Sequence, residues 1–316
     1  MTDLLERAAL SRSSPPVRPR ASRSRRGDRL RGLTRHPLGL AGLGILVAVL
    51  VFCFLGPLLY HSSQLQARVL LTNKAPGSGH PLGTDANGFD ILGRLMVGGR
   101  SSLELAAAVA VIATALGSLW GGIAGTVGGV LDAVMMRLVD VLISIPAIFV
   151  LIFLASVFRA SVPLLIVALS LMSWPVPARL VRAEALSLRR RPFVEASRSS
   201  GGGEWRAIWR HILPNSFSTI AVNATFQVAD AIVVLAGLSF LGLGLPPPAV
   251  SWGGMLASAL SSLLDGYWWQ VYPVLALLVL TVLAINLVGE ALRDTLDVRL
   301  KSRPLVVSQA TSGAGS

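Results

Sequence analysis

Charge is what this chain most lacks. Only 14% of its 316 residues are Asp, Glu, Lys or Arg, against roughly 25% in soluble domains, which points to lipid as the solvent. One cysteine, Cys53, lies inside an apolar run and excludes both a disulfide framework and a cysteine metal cluster. Lysine is confined to Lys74 and Lys301, and neither follows a glycine. A phosphate loop of the Gly-x-x-x-x-Gly-Lys type is therefore excluded. The histidines (His36, His61, His80 and His211) are scattered without metal-ligand spacing, and no Gly-x-Ser-x-Gly nucleophile elbow occurs. The chain is thus expected to be no enzyme, to hold no metal and to bind no cofactor. If ATP drives its function, another polypeptide must hydrolyse it.

What remains is apolar: 53% hydrophobic residues and a mean hydropathy of +0.66. Apolar spans near the ~20 residues that cross a bilayer, with charge kept to their ends except at Asp230, fall at about 38–59, 103–128, 135–158, 160–180, 212–243 and 267–290. The expected fold class is an all-α polytopic membrane protein with six transmembrane helices in one domain, 37–303. Residues 1–36, with ten arginines among Ser and Pro, and residues 304–316 read as tails. Six spans put both ends of the domain on one side. With the termini cytoplasmic, 23 of the 28 Lys and Arg fall on that side, so the net charge of +12 is a topology signal. No nucleic acid partner needs to be invoked.

Several features inside the spans carry expectations. Gly117, Gly121, Gly125 and Gly129 recur every four residues, a small-residue face that lets helix backbones approach in lipid. It suits packing within the chain or a seam against a second membrane subunit. Pro146, Pro163, Pro175 and Pro177 should bend their helices, and Arg159-Ala160-Ser161 reads as a tight hairpin. Asp230 is the acid deepest inside an apolar run. An intramembrane carboxylate is a candidate pathway residue, or a packing residue bonded to Asn223 or Gln227. Residues 60–100 and 245–267 form outer connections, with Gly83-Thr84-Asp85 and Gly88-Phe89-Asp90 as turns. Ile91–Leu103 reads as a lead-in to the second span, and Trp252, Trp268 and Trp269 read as interfacial anchors.

One polar, basic stretch, 190–214, interrupts the spans. Pro192 can open a helix, the glycines 201–203 must close it, and Glu204 suits the N-terminus of a second short helix. Trp205, Ile208, Trp209 and Ile212 fall at i, i+3, i+4 and i+7 and predict one apolar face. That face could meet lipid or a protein groove.

Here the chain resembles a known family. Glu195-Ala196, Gly201 six residues after the Glu, and then Leu213-Pro214 are similar to the EAA loop of bacterial ABC importer permeases. Gly83-Thr84-Asp85, Gly99-Arg100-Ser101, Met136-Arg137-Leu138-Val139-Asp140, Leu238–Gly244, Ser251-Trp252-Gly253 and Ala291-Leu292-Arg293-Asp294 resemble the second permease of the dipeptide/oligopeptide/nickel group. Ser197 stands where the motif has its second Ala, and Leu235 where many relatives carry Glu. The resemblance implies a type I ABC permease fold and a plasma-membrane location. It implies a second homologous permease, two cytosolic ATPase subunits that use ATP and Mg, and an extracytoplasmic substrate-binding protein as partners. In that setting Glu195, Ala196, Gly201, Glu204, Trp205, Ile208, Trp209, Leu213 and Pro214 would form the ATPase-coupling surface. The implied substrate is a short peptide, with nickel or another small solute as the alternative. A stand-alone secondary transporter is the rival from a different class.

Overall fold

The computed structural model describes residues 37–62, 67–158, 161–201 and 203–301. The two tails, Arg159-Ala160 of the expected hairpin and Gly202 lie outside the described residues. Thirteen α-helices make up the described chain, with no strand beyond two isolated bridges in the 77–90 segment. Four helices are long and apolar enough to cross a membrane: α1 (Pro37–Phe54), α3 (Ile91–Val127), α11 (Phe217–Phe240) and α13, a span within Tyr272–Lys301. Two bent pairs can supply the rest. They are α4 (Gly129–Ser144) with α5 (Ala147–Val157), and α6 (Val162–Ser173) with α7 (Pro175–Leu188). Six crossings are reached if each bent pair makes one span, and four are single helices.

Proline accounts for both breaks. Pro146 withholds a backbone donor between α4 and α5, whose axes diverge by 77°. Pro175 and Pro177 follow α6, and α7 leaves it at 41°. The second of these openings is closed from another helix. Pro177 has no N–H for the Ser173 carbonyl one turn earlier, and the Gln227 side chain of α11 donates to that carbonyl at 2.9 Å.

The 37-residue α3 is the post around which the others pack. Its glycines set the approach of α7. A methyl on Gly117 would stand 2.5 Å from the Trp174 carbonyl and 2.7 Å from the Pro177 ring, one on Gly121 would strike the Ala178 carbonyl, and one on Gly125 would stand 2.6 Å from Ala185 Cβ. This seam lies inside the chain. Gly129 is not part of it: α3 ends at Val127, and Gly128 and Gly129 turn the corner into α4 at φ +72° and +63°. With the helix ended, residue 129 leaves the four-residue line, and nothing lies within 4 Å of its added methyl. The 91–103 stretch, expected as a lead-in, is the first three turns of α3 itself, begun by Asp90, whose carboxylate accepts from Gly93 N at 2.8 Å.

The outer connections are more built than expected. Residues 252–264, read as loop, form the apolar helix α12 (Trp252–Leu264), capped by Ser251. Trp252 is buried, and its ring N–H donates to Leu95 O at 3.0 Å. The room comes from Gly99, where a methyl would collide with Cys53 and Trp252. Trp269 is likewise buried, donating to Thr84 O at 3.3 Å. Of the three expected anchors only Trp268 is exposed; the other two hold the end of the bundle together because their N–H groups find carbonyls. At the same end the Asp90 carboxylate accepts from Tyr60 and meets His80 Nδ1 at 2.8 Å. Burial and that carboxylate push the Tyr60 phenol up to about 12, which keeps it a donor.

Candidate functional site

The polar stretch folds at the opposite end of the bundle, between α7 and α11. It contains α8 (Pro192–Ser199), α9 (Glu204–Ala207), a π turn over Ile208–Ile212 and α10 (Leu213–Asn215). Gly201 ends the first arm at φ +80°, a left-handed conformation that glycine adopts without strain. Gly203 then stands at the N-cap of α9, with Glu204 in its first turn.

The feet of this element are buried. Val194, Ala207, Ile208 and Ile212 are each 2% exposed or less. Ile212 clusters with Ala185 and Leu188 at the end of α7, and Gly122 of α3 leaves the space that Leu213 and Ile208 fill. The crown is exposed: Trp205 at 62%, Trp209 at 51% and Phe193 at 44%. Trp205 and Trp209 meet edge to face at 5.9 Å, and Phe193 tilts onto His211 at 5.9 Å. The single apolar face expected from Trp205, Ile208, Trp209 and Ile212 is therefore split. The π turn over Ile208–Ile212 departs from the α-helical spacing, and the isoleucines insert into the bundle while the tryptophans stand outside it. Glu195, Ala196, Gly201 and Glu204 are exposed beside them, and Leu213 and Pro214 join the element to α11.

Charge ties α7, the helix that leads into this element, to α4. Arg182 of α7 forms a two-point ion pair with the buried Asp132 of α4, Nε to Oδ1 at 2.5 Å and Nη2 to Oδ2 at 2.7 Å. One turn away Arg179 pairs with Asp140. Sequence reasoning passed over the Asp132–Arg182 pair, and considered Gln227 only as a partner for Asp230 rather than for the Ser173 carbonyl. A lone Gln in an apolar run, and acids and arginines at helical spacing on two neighbouring spans, were the available signals.

Asp230 lies on the exposed side of α11, next to Val233 and Val234, which are also exposed. It makes no hydrogen bond or ion pair with a described residue. The packing partners considered for it are otherwise placed: the Gln227 amide is on Ser173, and Asn223 Oδ1 is buried without a partner. No group of His, Cys, Asp and Glu among the described residues is arranged to hold a metal.

A bundle of apolar helices carrying one polar, tryptophan-crowned element between two spans can now be set beside known proteins. Residues 117–302 match the family described as binding-protein-dependent transport system inner membrane component. Residues 24–76 match the N-terminal TM domain of oligopeptide transport permease C. The chain belongs to this permease family. A putative peptide permease of Brucella suis biovar 1 is 44% identical over 260 residues, 82% of this chain and 86% of its own length. The dipeptide transport system permease DppC of Bacillus subtilis is 36% identical over 282 residues, 89% and 88% of the two chains. The glutathione transport system permease GsiD of Pectobacterium atrosepticum is 36% identical over 272 residues, 86% and 90%. The chain is thus a DppC/OppC-like ABC permease, a multi-pass membrane component of a binding-protein-dependent transporter. In this permease the 190–214 element is the longest non-spanning segment between two adjacent crossings at its end of the bundle.

Proposed function

We propose that this permease forms half of the translocation pathway of an ATP-driven importer of short peptides, and that its 192–214 element receives the motion of a cytosolic ATPase. The observation that carries the reading is the contrast within that element, where buried feet hold an exposed aromatic crown. Three large aromatics in water are costly unless a partner groove covers them, and feet wedged against α3 and α7 would transmit any push into the bundle.

The remaining parts follow. The count of 23 Lys and Arg on one side supports cytoplasmic N- and C-termini and a cytoplasmic coupling element. Asp230 supports a second homologous permease, because a carboxylate facing lipid near mid-span costs roughly 2.5–3.5 kcal/mol. Covering it with a partner, with water in the path between them, removes that cost. The 60–100 and 245–267 segments would meet the substrate-binding protein. Peptide as cargo is supported by the names of the relatives, which are peptide, dipeptide and glutathione permeases.

The test is coupling. Glu195→Ala and Gly201→Asp should leave membrane insertion intact while uptake of dipeptide falls and the cognate ATPase no longer co-purifies. Undiminished uptake and association in both variants would refute the reading.

A further inference from the structure

Between α7, α11 and α13, at the same end of the bundle as the 190–214 element, lies an open cleft of about 360 Å³. Clefts of roughly 300–1,000 Å³ hold small ligands. Phe226 forms its floor, packed so closely on α13 that a methyl on Gly289 would stand 2.9 Å from the ring. Leu180 of α7 and Ser218 and Thr219 of α11 also line it. Arg293 of α13 lines it from an exposed position and has no ion pair with a described residue, although Glu290 and Asp294 are on its own helix. Asn223 reaches the cleft from α11 with its Oδ1 buried and unpartnered.

These two groups ask for opposite chemistry. A guanidinium without a counter-ion fits a carboxylate, with which it forms charge-assisted hydrogen bonds. A buried amide oxygen without a donor needs an N–H. A phosphodiester offers acceptors only and would leave Asn223 as it is. A short peptide offers both, an α-carboxylate at one end and an ammonium with amide N–H groups behind it.

We propose that this cleft is a substrate subsite on the inner half of the pathway, where Arg293 takes the α-carboxylate of a short peptide and Asn223 accepts from its N–H groups. The proposal rests on the reading of the chain as a peptide permease. Phe226 and Leu180 would then contact side chains without selecting among them, which suits a carrier whose selectivity resides in its binding protein.

The native thiol Cys53 is fully buried, so a thiol placed on the cleft wall by Val222→Cys reports on it alone. The permease with its partner subunits is labelled with a maleimide in membranes opened on both sides. Dialanine and trialanine are expected to slow labelling, while dialanine amide, which lacks the carboxylate, protects poorly. Arg293→Gln in the same background should cost dialanine at least about tenfold in protecting affinity and leave the amide unchanged. Asn223→Leu, which should weaken the protection given by dialanine, supplies the second arm if Arg293→Gln fails to assemble. Equal protection by the amide, protection that survives Arg293→Gln, or protection by short-chain phosphatidylglycerol alone would overturn the subsite. Uptake of the same peptides is measured separately. Transport without protection refutes the subsite only, whereas no transport of either peptide refutes the peptide reading beneath it.

Discussion

Gln227 shows how a single polar side chain can decide the course of two spans. Pro177 leaves the Ser173 carbonyl without its helical donor, and Gln227 of α11 supplies one from across the interface. Interhelical hydrogen bonds in membranes contribute about 0.6–2 kcal/mol, so Gln227→Leu should lower the thermal midpoint of the purified permease by a few degrees. An unchanged midpoint would mean that the proline bend holds without it. The glycines of α3 give a sharper contrast. Gly121 faces the Ala178 carbonyl with no room for a side chain, whereas Gly129 has open space but a positive φ. Gly121→Val must push α7 away and should abolish recovery of folded protein from membranes. Gly129→Ala should only cost the left-handed strain of about 1–2 kcal/mol and remain recoverable. Equal recovery of the two variants would remove the seam as the reason for the four-residue spacing. The spacing itself was visible in the sequence. The exclusion of its fourth member was not, because a helix end is set by where Gly128 turns and periodicity carries no mark of it.

Elements were legible in proportion to how apolar they are along their whole length. Helices α1 and α11 fall within about five residues of the runs that predict them, since ~20 apolar residues have few other stable uses, whereas α13 continues to Lys301, well past the run 267–290. Bends of 77° and 41° were foreshadowed by the prolines but not sized by them; the angle depends on what packs across the break. Helix α12 was hidden because 13 residues are too short to register as a span, and its tryptophan resembled an interfacial anchor until its N–H was found on Leu95. Ion pairs between helices were illegible for a related reason: Asp132 and Arg182 are 50 residues apart, and only the packing of α4 on α7 pairs them. That pair links α7, which leads directly into the 192–214 element, with the broken crossing α4–α5. Asp132→Asn and Arg182→Gln should each destabilise the permease. The double variant should cost less than the two singles together, with a coupling of about 0.5–3 kcal/mol read from denaturation in detergent. Additive losses would show that the two side chains act separately.

At the scale of the whole molecule, polarity is segregated by end. One end carries the compact outer segment, in which Thr84 accepts from Trp269, and Asp90 gathers Tyr60, His80 and the start of α3. The other end carries the exposed aromatic crown and most of the arginines of the described chain. An importer needs this asymmetry, because one end must meet a delivered cargo and the other a motor. Which end faces which compartment can be measured directly, since buried Cys53 leaves the described surface free of native thiols. A cysteine in place of Gly79, exposed with nothing within 4 Å of its added methyl, should react with an impermeant maleimide in intact cells. A cysteine in place of Gly203, equally open at the crown, should react only once the membrane is permeabilised. The bias of positive charge toward the crown side makes the opposite result unfavourable, at about 1 kcal/mol for each Lys or Arg held near an anionic surface. Reversed labelling would place the crown outside the cell, where no ATPase could reach it, and with it would fall the assignment of residues 192–214 as the coupling element.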